Sequence, residues 1–209
     1  MRLILLGAPA SGKGTQAARL MDAYGIPKIS TGDMLRAARA AGTELGKAAE
    51  EYMTSGQLVP DAVVIGLVAE RIEQDDAKKG FILDGFPRTL EQAEALDQML
   101  ADKGTPIDVA LQIDVPRELL VERATGRRTD VRTGQIYHLK YNPPPPDAEL
   151  EHRADDQAEV VAKRLDAYEA QTAALLPYYE GKGLLKSVEG NQSPEQVTAS
   201  IKSKLGADS

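Results

Sequence analysis

A run of four apolar residues, Leu3-Ile4-Leu5-Leu6, stops at Gly7-Ala8-Pro9-Ala10-Ser11-Gly12-Lys13 and gives way to a helical pattern. An apolar run that ends in glycines and resumes as a helix dictates a strand, a tight loop and a helix in immediate succession. Glycines in such a loop let backbone N–H groups converge on an anion, the helix N-terminus adds its positive dipole end, and a lysine at the loop's close adds a mobile charge. The pattern predicts a phosphate cradle built from Ala10, Ser11, Gly12, Lys13, Gly14 and Thr15, with Lys13 reaching the outer phosphates. Gly14 stands where the general pattern has Ser or Thr, so a hydroxyl facing a magnesium ion has to come from Thr15.

The rest of the chain repeats the strand-then-helix rhythm. Phe81-Ile82-Leu83 and Val109-Ala110-Leu111-Gln112-Ile113 are mainly apolar, and each precedes a helical pattern, as in βα units with a buried parallel sheet. Lys28-Ile29 and Leu184 to Val188 supply two further strands. Helices are expected near 13–24, 61–75, 89–102, 116–125, 157–180 and 194–205. Two segments interrupt the rhythm: 31–60 reads as two short helices, and 126–154 is rich in Arg, Gly, Pro and polar residues. The expected class is therefore α/β, a parallel five-stranded sheet flanked by helices and carrying two insertions. Asp84 closes the Phe81 strand; beside a phosphate loop, a carboxylate there is suited to hold Mg²⁺ through its waters.

Composition removes other classes. At 209 residues with 42% hydrophobic and 27% charged content, the chain suits one folded unit with insertions, and 4% aromatic content makes its core aliphatic. A net charge of −7 argues against a nucleic-acid or membrane-surface footprint, so an anionic ligand must meet local arginines. There is no cysteine, which excludes disulfides and thiolate metal sites. The apolar stretch before Gly7 is too short for a signal peptide or a membrane span, and a cytoplasmic monomer is the expectation.

Ordered motifs then carry a resemblance. Gly7 to Thr15 (GAPASGKGT), Ser30 to Arg36 (STGDMLR), Gln57 to Val59, Asp84 to Arg88 (DGFPR) with Gln92, Gly126-Arg127-Arg128, Tyr137-His138, Asn142-Pro143-Pro144 and Asp155-Asp156 with Arg164 together resemble the adenylate kinase family. The resemblance implies transfer of a phosphoryl group from Mg·ATP to AMP, giving two ADP, with Mg²⁺ entering with ATP. It implies a P-loop core over 1–29, 60–125 and 157–209, an AMP-binding insertion over 30–59 and a lid over 126–156. For ATP it points to the loop residues with Arg123, Arg127, Ile136, Tyr137 and Gln192. For AMP it points to Thr31, Arg36, Gln57, Leu58, Val59, Gly85, Phe86, Pro87, Arg88, Gln92, Arg153 and Arg164, and for catalysis to Lys13, Arg88, Arg123, Arg153 and Arg164. UMP or CMP as the acceptor, and a non-catalytic nucleotide-binding protein, are the alternatives.

Physical chemistry adds expectations of its own. The phosphate of a nucleoside monophosphate is largely dianionic at neutral pH, so it attacks without a general base, and what the reaction needs is charge neutralisation by arginines. Arg123 and Arg127, four apart, are expected on one helix face. On a continuous helix the eleven residues from Arg153 to Arg164 span about 16 Å, too far to meet at one phosphoryl group. Asp156 with Glu159 reads as a capping box that starts a helix after Arg153, leaving that arginine on the insertion; Asp155 and Asp156 either cap the helix or pair with arginines. Ala10, where the family has glycine, is expected at negative φ. Between 126 and 156, His138 and His152 do not make a tetrahedral zinc site, so hydrogen bonds around Thr129, Asp130, Thr133 and Tyr137 are expected to hold that segment without metal.

Overall fold

The structure, a computed structural model, describes residues 1–206, so the last three residues of the expected core segment lie outside the described residues. Strands β1 (Arg2–Leu6), β2 (Lys28–Ser30), β3 (Phe81–Asp84), β4 (Val109–Asp114) and, after three strands of a separate sheet, β8 (Leu185–Glu189) form a parallel sheet in the order β2-β3-β1-β4-β8. This is the expected α/β architecture with five parallel strands.

Both faces of the sheet are covered, and β1 shows how. Side chains alternate along a strand, so Ile4 and Leu6 enter one core with Leu96 and Leu100 of α5 (Leu90–Ala101) and Val68 of α4 (Asp61–Ile72). Leu3 and Leu5 enter the other with Leu20 of α1 (Lys13–Tyr24) and Ile201 of α9 (Pro194–Leu205). An apolar run without alternation is what a strand buried on both sides requires. β1 lies between β3 and β4, where connections leave in opposite directions, and such a switch point opens a crevice at the strands' carboxyl ends. Leu5 pairs in register with Asp84, which brings the loop after β1 and the end of β3 to the same edge.

Helices α2 (Thr31–Ala40) and α3 (Glu44–Ser55) follow β2 and pack against each other, each started by a side-chain cap: Ser30 Oγ accepts from the Asp33 amide and Thr43 Oγ1 from the Gly46 amide. After α6 (Arg117–Gly126) comes a second sheet, β5 (Arg127–Asp130), β6 (Ile136–His138) and β7 (Leu150–Glu151), antiparallel in the order β6-β5-β7. Helices α7 (Ala158–Ala167) and α8 (Leu175–Gly181) complete the set.

Three expectations need correction. Arg127 does not share a helix face with Arg123, because α6 ends at Gly126 and Arg127 opens β5, paired with His138. The expected helix over 157–180 is two helices around a π-helical stretch, Tyr168–Thr172. Pro177 has no N–H and is tolerated in a first turn, so the helix must restart just before it. The Asp156–Glu159 capping box does not form: Gln157 precedes α7 without a side-chain cap, and Asp156 is engaged by Arg127.

Segment 126–156 is held by polar contacts. Arg153 Nε donates to Thr129 Oγ1 (3.0 Å), the Arg132 amide donates to Asp130 (3.0 Å) and the Gln135 amide to Thr133 (3.2 Å), while Tyr137 contributes through its strand pairing with Arg128. A cluster outside the expected set ties the segment to α6: Lys140 Nζ and the Tyr141 hydroxyl both donate to Glu122.

Candidate active site

The loop after β1 adopts geometry that few residues tolerate. Gly7 sits at φ 147°, and a Cβ there would meet the Ile113 carbonyl and Ser11 Oγ at 2.7 Å. Gly12 precedes α1 at φ 100°. Ala10 is at φ 64°, which corrects the expectation of negative φ: it lies in the left-handed region between these glycines and accepts the strain itself. The first-turn amides of a helix have no partner within it, so those of α1 are suited to receive an anion at the loop. Lys13 folds back over it, donating to the carbonyls of Gly7 (2.7 Å) and Ala8 (2.8 Å). Burial brings the Lys13 pKa down to about 8, with Asp84 opposing and Arg88, Arg164 and Arg127 adding to the fall. A cation held in such a place is short of negative charge.

Asp84 stands beside the start of α1: a Cβ on Gly14 would lie 3.7 Å from its Oδ2. Thr15 is exposed on the first turn. Among the described residues no group of three or more His, Cys, Asp or Glu is placed to hold a metal ion. One carboxylate, one hydroxyl and a phosphate loop fit Mg²⁺, which keeps several waters and is completed by substrate phosphates, rather than a metal needing an all-protein cage.

Next to Asp84 opens a partly open pocket between α2, α3 and the start of α5. Thr31, Arg36, Gln57, Leu58, Val59, Gly85, Arg88, Gln92 and Arg164 all line it, so most of the expected acceptor residues converge there. Phe86 does not; it is fully buried in the core. Thr31 Oγ1 and Arg88 Nε both donate to the Gly85 carbonyl at 2.9 Å. Burial and the neighbouring Arg164 bring the Arg88 pKa down to about 10. Burial alone would raise the Asp33 carboxyl, but hydrogen bonds from Lys28 (2.8 Å) and Arg36 (2.6 Å) outweigh it and hold the group far below the usual range.

Between the loop and the cavity lies an arginine cluster. Arg127 forms a bidentate pair with fully buried Asp156 (2.5 and 2.7 Å). Arg164 pairs with Asp155 at 2.9 Å and approaches Asp156 at 3.6 Å. Of the two readings of these aspartates, pairing with arginines is the one observed: two charge-assisted bonds to a guanidinium outweigh one bond to a helix amide. Burial, with Arg36 and Arg127, lowers the Arg153 pKa to about 10. Arg123, in the last turn of α6, donates to the Gly190 carbonyl (2.9 Å), two positions before exposed Gln192. Ile136 is exposed on β6 and Tyr137 half-buried beside it. Sequence reasoning passed over the apolar lining from Leu35, Met53 and Val64, for which helical periodicity was the available signal, and Asp61, which bonds to Gln92 and carried no signal beyond a helix start.

A strand, a glycine loop cradling the N-terminus of the following helix, a lysine and a second strand ending in aspartate, all at a switch point of a parallel sheet, define a P-loop nucleotide-binding protein. A sequence model described as "Adenylate kinase" matches residues 5–184. Adenylate kinases of Sorangium cellulosum (59% identical, covering 99% of this chain and 97% of the relative), Thermodesulfovibrio yellowstonii (55%, 96% and 97%) and Carboxydothermus hydrogenoformans (52%, 98% and 99%) are similar along nearly their whole length. The chain belongs to the adenylate kinase family of phosphotransferases.

Proposed function

We propose that this chain catalyses reversible transfer of the terminal phosphoryl group of Mg·ATP to AMP, releasing two ADP. The observation that supports it is the arrangement of two anion-binding settings, the Lys13 loop and the Arg88 cavity, on either side of one arginine cluster. In this reading Ala10 to Thr15 cradle the donor phosphates together with Arg123, and Ile136, Tyr137 and Gln192 flank its nucleoside. Segment 126–156 is the donor's cover and segment 30–59 the acceptor's clasp, each an insertion on a core of 1–29, 60–125 and 157–209. Thr31, Arg36, the 57–59 backbone, Gly85 to Arg88 and Gln92 hold AMP.

An oxygen of the AMP phosphate attacks the γ phosphorus, and the bond to the β–γ bridging oxygen breaks, leaving that oxygen on departing ADP. The attacking oxygen is already ionised, since the second pKa of a phosphomonoester is about 6, so no side chain has to take a proton. Lys13, Arg88, Arg123, Arg153 and Arg164 neutralise charge on the transferring group and hold donor and acceptor in line. Asp84 and Thr15 would hold Mg²⁺ against the donor phosphates, where the ion neutralises their charge. Closure of 126–156 excludes water that would otherwise accept the phosphoryl group. The site is complete within one chain, which suits a monomer, and no helix among the described residues is long and apolar enough to cross a membrane.

A coupled assay of ADP formation tests the reading. ATP plus AMP should turn over rapidly, ATP alone should not, and UMP or CMP should be poor acceptors. Lys13→Met and Arg88→Ala should each cost about 10²-fold or more in kcat. Equal turnover with and without AMP, or wild-type rates in both variants, would overturn it.

A further inference from the structure

The cavity that receives the acceptor contains one buried amide whose orientation is dictated by a residue that does not line the cavity. Gln92, 1% exposed on the first turn of α5, faces the cavity. Its Oε1 accepts from the Arg88 amide (2.7 Å), and its Nε2 donates to Asp61 Oδ1 (2.7 Å). Both partners demand the same orientation, because a backbone N–H only donates and a carboxylate only accepts. The other Asp61 oxygen, Oδ2, accepts from the Thr89 hydroxyl (2.7 Å), and Thr89 Oγ1 in turn caps α5 by accepting from the Gln92 amide (3.2 Å). Asp61 is the first residue of α4, two positions beyond Val59. One carboxylate therefore ties the start of α4, with the 57–59 stretch behind it, to the start of α5, which carries Gln92 and follows directly on Arg88 and Thr89.

We propose that Asp61 is a positioning residue for acceptor selection: it locks the Gln92 amide so that a fixed donor–acceptor order meets the purine edge of the monophosphate. The second N–H of Nε2 and the second lone pair of Oε1 remain unused by these bonds. A glutamine amide in fixed orientation matches adenine, which offers an amino donor beside a ring-nitrogen acceptor. On the Watson–Crick edge guanine presents an oxygen where adenine has its amino group and a protonated N1 where adenine's N1 is a bare acceptor, so the same amide meets that edge in conflict unless the amide turns over. Turning over sets the Nε2 hydrogens against the Arg88 N–H and Oε1 against the Asp61 carboxylate. A site built on fixed polar groups discriminates strongly because the wrong partner leaves buried groups unpaired.

The inference rests on AMP as the acceptor, and the experiment separates the two. Wild-type protein is first assayed with ATP and AMP, GMP or CMP as acceptor; failure to use AMP would refute the acceptor reading itself. With AMP turnover established, Asp61→Asn, which has one acceptor where the carboxylate has two and can donate as well, should raise KM for AMP about tenfold. It should also lower the AMP-to-GMP ratio of kcat/KM by a similar factor while leaving KM for ATP within about twofold. A role confined to stapling two helices would lower the melting temperature without moving that ratio. Thr89→Ala, which frees one Asp61 oxygen, should shift the ratio in the same direction by less, and takes over as the test should Asp61→Asn not fold. An unchanged AMP-to-GMP ratio in folded Asp61→Asn, or in Thr89→Ala when that is the variant available, overturns the assignment.

Discussion

Ala10 is the one non-glycine residue at positive φ among the described residues. At φ 64° a Cβ costs roughly 1–2 kcal/mol, offset in part by the smaller unfolded-state freedom of alanine relative to glycine. Ala10→Gly should therefore stabilise the protein by about 0.5–1 kcal/mol in urea unfolding; equal or lower stability would mean that the loop carries no strain at this position. Lys13 leads to a pH prediction. Its folded pKa of about 8 lies below the ordinary 10.5, so the charged lysine is disfavoured in the nucleotide-free fold, and this penalty is relieved as pH rises through 8 toward 10.5. Triphosphate beside Lys13 supplies the missing negative charge and raises the pKa again. Binding of Mg·ATP at pH 8 should then take up about half a proton, falling toward zero at pH 6, where the lysine is already charged. Calorimetry in buffers of different ionisation enthalpy measures it, and proton release at pH 8 would contradict the assignment.

At the scale of elements, the decisive contact joins β5 to the turn before α7. Asp156 is fully buried and Arg127 largely so, and each of their two hydrogen bonds is charge-assisted. A buried pair adds little net stability over a well-packed apolar pair, but removing one partner strands the other charge. Asp156→Ala should lower unfolding free energy by about 3 kcal/mol, at the lower end of the range for such cuts because Asp155 and solvent remain near Arg127. A loss under about 1 kcal/mol in urea unfolding would show that Arg127 is resolvated with ease. Asp156 sits at a helix start and looks, in sequence, like a capping residue; proximity of a guanidinium 29 positions away decides its role. The sheet over 127–151 escaped periodicity for a related reason: strands of four, three and two residues carrying Arg, Thr, Asp and His have no apolar alternation to show.

For the whole molecule, cohesion comes from two cores on either side of a parallel sheet, one aliphatic and one that adds Phe81, Phe86 and Tyr179, and segment 126–156 is held by hydrogen bonds and ion pairs. Between 126 and 156 the sequence offers His138, His152 and no cysteine, too few nitrogen and sulfur donors for a tetrahedral zinc site, so metal should matter to turnover and not to folding. EDTA should abolish phosphoryl transfer yet leave the melting temperature of nucleotide-free protein unchanged. A drop in melting temperature reversed by zinc would reveal a structural metal site.

The amino-acid order alone determined the parallel α/β class, because apolar runs of strand length followed by helical periodicity have few packings that bury both faces of a sheet. It also carried the phosphate loop, since glycine spacing, lysine and helix start are consecutive in the chain and their chemistry is local. Tertiary structure decided what depends on residues distant in sequence. Ala10 takes positive φ between Gly7 and Gly12; Asp156 abandons a helix cap for Arg127; the helix expected through 157–180 is interrupted by the π-helical stretch 168–172 and restarts at Leu175, which leaves Pro177 in a first turn. Asp61 acquires meaning only where the fold sets α4 beside α5 and brings its carboxylate to Gln92, 31 positions away. Local propensity can place a strand or a loop, but the partner of a buried charge or amide is chosen by the packing of elements, where an unsatisfied polar group costs more than any single cap contributes.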